Sequence, residues 1–310
     1  VQEEKVMQED KIQVLKILSK SIREFKKDSI LCPLLVTGEV ILECMIPFFT
    51  AQLVNRMKEN ASMQMILHYG FILVVMAILS LLFGLWAGNF AASASTGFAR
   101  NIRKDMFKRI QGFSFENIDR FESSSLVTRL TTDISNVQMA YMMLVRTAFR
   151  GPLMMVFSFV AAFIMGGRMA IIFCFVIPIL AIGLIIITKK AMGIFNEIFK
   201  RYDALNESVE ENIQGMRVVK TYVREEYEKE KFDGKAESLA LDFISAEKLI
   251  AIANPLMQFC LFVVVIFVLS FGSYLVVSTG GSALDVGQLS ALLTYSYQIL
   301  SSLMLVAMVF

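Results

Sequence analysis

A single histidine, His68, occurs in 310 residues, together with one tryptophan and five prolines, and only 19% of the side chains are charged. One histidine builds neither a zinc site nor a Ser-His-Asp triad. No HExxH run occurs, and neither does a GxxxxGK[ST] phosphate loop or an acidic partner strand for magnesium. These 310 residues are therefore not expected to hydrolyse ATP by themselves. A formal net charge of +2 leaves no electrostatic footprint for nucleic acid. Cys32, Cys44, Cys174 and Cys260 lie in or beside apolar runs without a CxxC spacing. They read as reduced thiols packed among helices, not as a metal or redox site.

What the chain has in excess is apolar surface. It is 56% hydrophobic with a mean hydropathy of +0.60, against about 45–50% apolar and about 25% charged in an average soluble domain. Several windows reach the roughly 20 apolar residues that cross a ~30 Å hydrocarbon core. The expected fold is an all-α membrane protein with six spans, near 30–55, 65–92, 140–165, 168–188 and 249–277, and a last one from 288 that reaches the end of the sequence. The sequence begins at Val1 and stops at Phe310 within an apolar run, so it reads as a fragment. Its first 29 residues are charged and amphipathic, unlike a cleavable signal peptide.

The connections alternate in length. Residues 56–64, Gly166 to Arg168, and 278–287 are short, whereas 93–139 and 189–248 are long. Of the 30 lysines and arginines, seven lie in 1–29, nine in 93–150 and eleven in 189–248, leaving only Arg56, Lys58 and Arg168. That bias places the N-terminus and both long connections in the cytoplasm. Within 1–29, Ile12, Leu15, Leu18, Ile22 and Phe25 share a helical face opposite lysines, the pattern of a helix in the headgroup plane.

Both long connections carry helical periodicity. Phe98, Ile102, Met106, Ile110 and Phe113 lead out, and Leu126, Leu130, Ile134, Val137 and Tyr141 lead back. In the second, Phe195, Ile198, Tyr202, Leu205, Val209, Ile213, Met216, Val219 and Val223 form a seam that would run about 42 Å as one helix. The expectation is a helical stalk built from two hairpins. Their turns fall at SFENIDRFESSS and TYVREEYEKEKFDG, where aromatics sit among charges, the composition of a docking surface.

Two strings carry a resemblance. RKDMFKRIQGFSFENIDRFESSSLVTRLTTDISNVQ and ENIQGMRVVKTYVREEYEKEKF resemble the first and second intracellular hairpins of the type I ABC exporter transmembrane domain. The likeness covers nearly the whole chain and is nearest to bacterial multidrug-type exporters that assemble as heterodimers. Many members have glycine after the first tip, where Ser124 and Ser125 stand here. The resemblance implies that 114–122 and 222–232 are coupling helices resting on ATP-binding domains. Phe115, Glu116, Asn117, Asp119, Arg120 and Phe121 would serve in one, and Tyr222, Arg224, Glu225, Glu226 and Tyr227 in the other. It also implies a second homologous subunit, ATP and magnesium in the absent nucleotide-binding domain, and a multi-pass place in the plasma membrane. The implied activity is ATP-driven export of hydrophobic or amphipathic small molecules by alternating access, with lipid or peptide as alternatives. From other classes, a gated channel or a membrane sensor with a helical stalk is the alternative.

Inside the apolar runs, Glu39 and Glu43 stand four apart on one helical face. A charge at that depth costs roughly 2.5–3.5 kcal/mol on insertion scales, so both are expected to face the bundle interior or water, protonated or paired. They read either as a cation-attracting wall of a translocation cavity or as a structural contact between helices. Thr294, Gln298 and Ser301 share a face of the last span, beside Tyr295 and Tyr297. The resemblance makes that face part of the pathway, although small polar residues also pack membrane helices without a transport role.

Overall fold

The computed structural model describes residues 18–58, 62–114, 123–282 and 284–309. Every regular element among them is helical, as a backbone in hydrocarbon requires when its hydrogen bonds must close within one segment. A 3-10 turn at Arg23–Phe25 enters α1 (Lys26–Lys58), which is followed by α2 (Met63–Gln111). A short α3 (Ser123–Thr128) passes through a π-helical turn, Arg129–Asp133, into α4 (Ile134–Gly166). Then come α5 (Ile171–Gln214), a short α6 (Met216–Thr221), α7 (Glu225–Ala251), α8 (Ala253–Ser278) and α9 (Val286–Val309).

Among the described residues, five helical stretches are long and apolar enough to cross a membrane. One of them, Ser124–Gln214, holds two of the six expected spans. It is broken between α4 and α5 by a 3-10 turn that opens on Gly167 at φ +50, a conformation glycine adopts without steric cost. Two helices overshoot the bilayer by a wide margin. At 1.5 Å per residue α2, with 49 residues, is about 74 Å long and α5, with 44, about 66 Å, against a hydrocarbon core of ~30 Å. Ser62 starts α2 by accepting the Met65 N–H on its Oγ at 3.4 Å, an N-cap in the ordinary sense.

The helices sort into two compact units. The first runs to Ile171 and resumes at Val268. Its core is a stripe on α1, Cys32, Val36, Val40 and Cys44, set against Ala87 and Ala91 of α2 and Val145 of α4. The two alanines let α1 and α2 approach closely, the usual means of association where lipid supplies no hydrophobic drive. Further along the same unit Phe98, Ile102 and Met106 meet Leu130, Ile134 and Tyr141, so the hairpin periodicity is a packed seam. Leu18 and Ile22 join that cluster, Phe25 lies against Gly97, and Arg23 pairs with Asp105 at 2.8 Å. From Leu18 onward the N-terminal segment is thus docked on α2, while Ile12 and Leu15 lie outside the described residues.

The second unit spans Ile172–Phe267. Ile198, Leu239 and Ala246 form its stalk core with Phe195, Leu205 and Phe243. Arg201 clamps the same pair of helices by an ion pair to Asp242 at 2.7 Å. The seam expected over 195–223 does not run as one helix. Gly215 ends α5 and α6 begins at Met216, because glycine is the ordinary residue least able to hold a helix interior. Below Leu205 the seam is largely uncovered, with Ile213 and Met216 exposed.

Candidate functional site

The two membrane acids share one partner. Glu39 and Glu43 are the only charges on α1 between Asp28 and Arg56, and the i,i+4 spacing stacks them on the face turned to α4. Arg150 of α4 donates through Nη1 to Glu39 Oε1 at 2.5 Å, and through Nη2 to Glu43 Oε1 at 2.7 Å and Oε2 at 2.9 Å. The guanidinium fork suits this task, since its N–H groups diverge in one rigid plane. Glu39 is buried, and its Oε2 has no hydrogen-bond partner among the described residues. On the far side of Glu39 stands Gly84 of α2, where an added Cβ would lie 3.1 Å from Oε1. A side chain at position 84 would therefore crowd the carboxylate.

Arg150 is a residue the sequence reading missed. Counted with the basic connection, it registers as part of the charge bias. It stands sixteen residues from the end of α4 at Gly166, about 24 Å along the helix, among Phe149, Gly151 and Pro152. A basic residue in that apolar setting, together with two acids in another span, was the available signal.

Gln298 and Tyr295 of α9 meet α1 one turn further on. Pro47 has no N–H, so the Glu43 carbonyl loses its ordinary intrahelical donor. Gln298 Nε2 donates to that carbonyl at 3.4 Å, and the Tyr295 hydroxyl donates to the next one, Cys44 O, at 2.8 Å. Ser158 of α4 completes the arrangement by donating to Gln298 Oε1 at 3.1 Å. Three helices are thereby bonded around a proline weak point, and α1 continues through it unbroken. Tyr295 is fully buried, so Tyr295→Phe is expected to destabilise the protein by about 1–2 kcal/mol, the loss of one buried hydrogen bond. Thermal unfolding of the protein in lipid nanodiscs checks this.

The remaining polar residues of α9 are placed differently. Thr294 is exposed and its hydroxyl returns to Ser290 O, while half-buried Ser301 bonds Gln298 O at 3.2 Å. Beside them α1 and α4 enclose an apolar groove of about 360 Å³, with Met45 and Phe48 on one wall, Phe157 and Ile164 on the other, and Tyr295 at its floor. Neither Glu39 nor Glu43 lines it.

At the far end of the second unit, the turn after α6 is wholly exposed. Tyr222, Val223 and Tyr227 project from it, and Val223 takes φ +50, a left-handed conformation costly for a β-branched residue. Arg224 lies over the Tyr227 ring at 6.0 Å, and Glu225 and Glu226 open α7. Phe115, Glu116, Asn117, Asp119, Arg120 and Phe121 lie outside the described residues.

Apolar spans, two of them on helices prolonged far beyond a bilayer, and an ion-paired cluster between α1 and α4 define a polytopic helical membrane protein. The family follows from comparison: residues 29–303 match the ABC transporter transmembrane region, and the chain belongs to that family. It is 27% identical over 270 residues to YfiB of Bacillus subtilis (strain 168), an uncharacterized ABC transporter ATP-binding protein, covering 87% of this chain and 47% of YfiB. An uncharacterized ABC transporter ATP-binding protein of Mycobacterium tuberculosis (strain CDC 1551 / Oshkosh) is 24% identical over 295 residues, 95% of this chain and 50% of that protein. The ATP-dependent lipid A-core flippase of Pseudomonas syringae pv. tomato (strain ATCC BAA-871 / DC3000) is 24% identical over 180 residues, 58% of this chain and 30% of the flippase. The chain spans about half the length of the first of these relatives.

Proposed function

We propose that this chain is the transmembrane half of an ATP-driven exporter that moves hydrophobic or amphipathic small molecules out of the cytoplasm. The observation that carries the reading is the exposed aromatic turn Tyr222–Tyr227, at the end of helices far longer than a bilayer is thick. Such a turn suits a contact with a separate domain, and the family supplies one that binds ATP with magnesium. Residues 222–232, with 114–122 as a second contact, act as coupling helices. The N-terminus and both stalk hairpins lie on the cytoplasmic side of the plasma membrane. Two homologous subunits, by preference different ones, enclose the pathway, and nucleotide-driven closure switches it between inward and outward access.

The groove between α1 and α4 supports an apolar cargo, since its walls are almost entirely hydrocarbon. Glu39, Glu43, Thr294, Gln298 and Ser301 are the polar candidates along the pathway. A lipid cargo is the second reading, favoured by the activity for which the lipid A-core flippase relative is named.

The test uses the full-length protein, with its ATP-binding domains, in liposomes. ATP with magnesium should drive accumulation of a hydrophobic dye. Replacing Tyr222 and Tyr227 together by Ala should cut transport roughly tenfold while ATP hydrolysis continues, a coupling loss of ordinary allosteric size. Unchanged transport would remove the coupling role. Movement of a labelled lipid but not the dye would favour the second reading.

A further inference from the structure

The ion triad does not balance. Two carboxylates face one guanidinium, and Glu39 Oε2 is buried without a hydrogen bond among the described residues. An uncompensated charge inside a membrane bundle is costly, and the cost falls when a second cation reaches it. One stands a helical turn away. Arg146 precedes Arg150 by four residues on α4 and makes no ion pair or hydrogen bond among the described residues. Its guanidinium rests on Gly88 of α2, where an added Cβ would be 3.5 Å from Nη1.

The spacings match on all three helices. Acids stand at 39 and 43, arginines at 146 and 150, and glycines at 84 and 88. Helices α1 and α4 run parallel, because Ser29 meets Tyr141, Cys32 meets Val145 and Cys44 meets Ser158. Along this bundle Arg146 faces Gly88 and Glu39 faces Gly84, so the two side chains stand against positions one turn apart on α2. Those two glycines are about 6 Å apart along the helix at 1.5 Å per residue, the scale of an arginine side chain's swing. Gly84 and Gly88 put no side chain of their own between the two seats, and Ala87 between them carries only a methyl group. The other titratable groups around Glu39 are Glu43 and Cys32 on α1 and Arg150 on α4, and α2 carries none between Gly70 and Ala99.

We infer that Arg146 is the second cation of this site. In the alternate conformation of the transport cycle its guanidinium leaves Gly88 for the seat at Gly84 and binds Glu39 Oε2, leaving Arg150 to Glu43. Two charges then meet two charges. The bundle thus has two pairings of the same residues, a bistable element of the kind that couples distant sites. Arg146 is a positioning residue in this scheme and touches no cargo. The inference rests on the transport reading above, because it needs two states driven by nucleotide.

The experiment is a double-mutant cycle between Glu39→Gln and Arg146→Gln in the full-length protein in nanodiscs. Thermal stability is measured nucleotide-free and again after trapping with ATP, magnesium and vanadate. The expected result is non-additivity in one state only, equivalent to roughly tenfold in that state's stability. Arg146→Lys, which keeps the charge but loses the planar fork, should recover part of it. Additive effects in both states overturn the inference, because the two residues then never meet. Equal coupling in both states also overturns it, because the contact is then static. If the wild type hydrolyses ATP and either of those results is found, the inference fails alone. A wild type that hydrolyses none overturns the transport reading and this inference with it.

Discussion

Replacing Arg150 by Leu should destabilise this protein more than any other single substitution in its membrane interior. The change removes the guanidinium that Glu39 and Glu43 share, with Glu39 already buried. Breaking a buried ion pair by removing one partner typically costs about 3–5 kcal/mol, because the remaining charge is uncompensated. Here two charges are left behind, so the upper part of that range is expected. Arg150→Lys should fall between, since an ammonium cannot divide two coplanar N–H directions between two carboxylates. Removing all three charges together, with Glu39→Gln and Glu43→Gln added to Arg150→Met, should recover most of the loss. Thermal midpoints of the four proteins in nanodiscs check the series. If the triple variant is no more stable than Arg150→Leu, charge imbalance is not the cause.

The second large effect is expected at Gly287, where α9 crosses α1. A Cβ built there would lie 2.0 Å from the Ala51 carbonyl oxygen and 2.7 Å from Asn55 Oδ1. The nearest atom is backbone, so no rotamer change relieves the clash. In addition the Gly287 N–H donates to Asn55 Oδ1 at 2.8 Å, a bond that separation of the helices would break. Overpacking costs about 1–3 kcal/mol and the lost hydrogen bond about 1 more. Gly287→Ala should therefore lose roughly 3 kcal/mol. Gly70→Ala is the control, because nothing lies within 4 Å of its Cβ position. In the interior of α2 it should be neutral or gain up to about 1 kcal/mol from helix propensity. Equal losses at both positions would show that the effect is not the α1–α9 crossing. Unfolding of the two variants, measured side by side, separates the cases.

The local features of the fold were legible in the residues. Apolar runs long enough for a bilayer became helices, and the three- and four-residue spacing of Phe98, Ile102 and Ile134 became a packed seam. These signals are local, since a helix closes its hydrogen bonds within one segment and displays its apolar face at a fixed period. Where a local signal was misread, as at Gly215, the seam had been extended through a residue that does not hold a helix. The family resemblance, sharpest in the two hairpin strings, covers nearly the whole chain, and the match over 29–303 agrees with it.

The candidate site was only half visible. Glu39 and Glu43 stood out because charge is rare in an apolar run, but their partner did not. Arg150 lies 111 and 107 residues away along the chain, and its reach depends on how α1 and α4 are rotated and staggered. The same holds for Gln298, which reads as a polar residue of a transmembrane face. In the folded chain it serves a carbonyl that Pro47 leaves without a donor. What the sequence by itself determined is the all-helical class and the long apolar helices, because these follow from local periodicity and apolar length. What only the tertiary structure decided is which charge meets which, because pairing depends on the angle and register between helices, and no stretch of one helix holds that information.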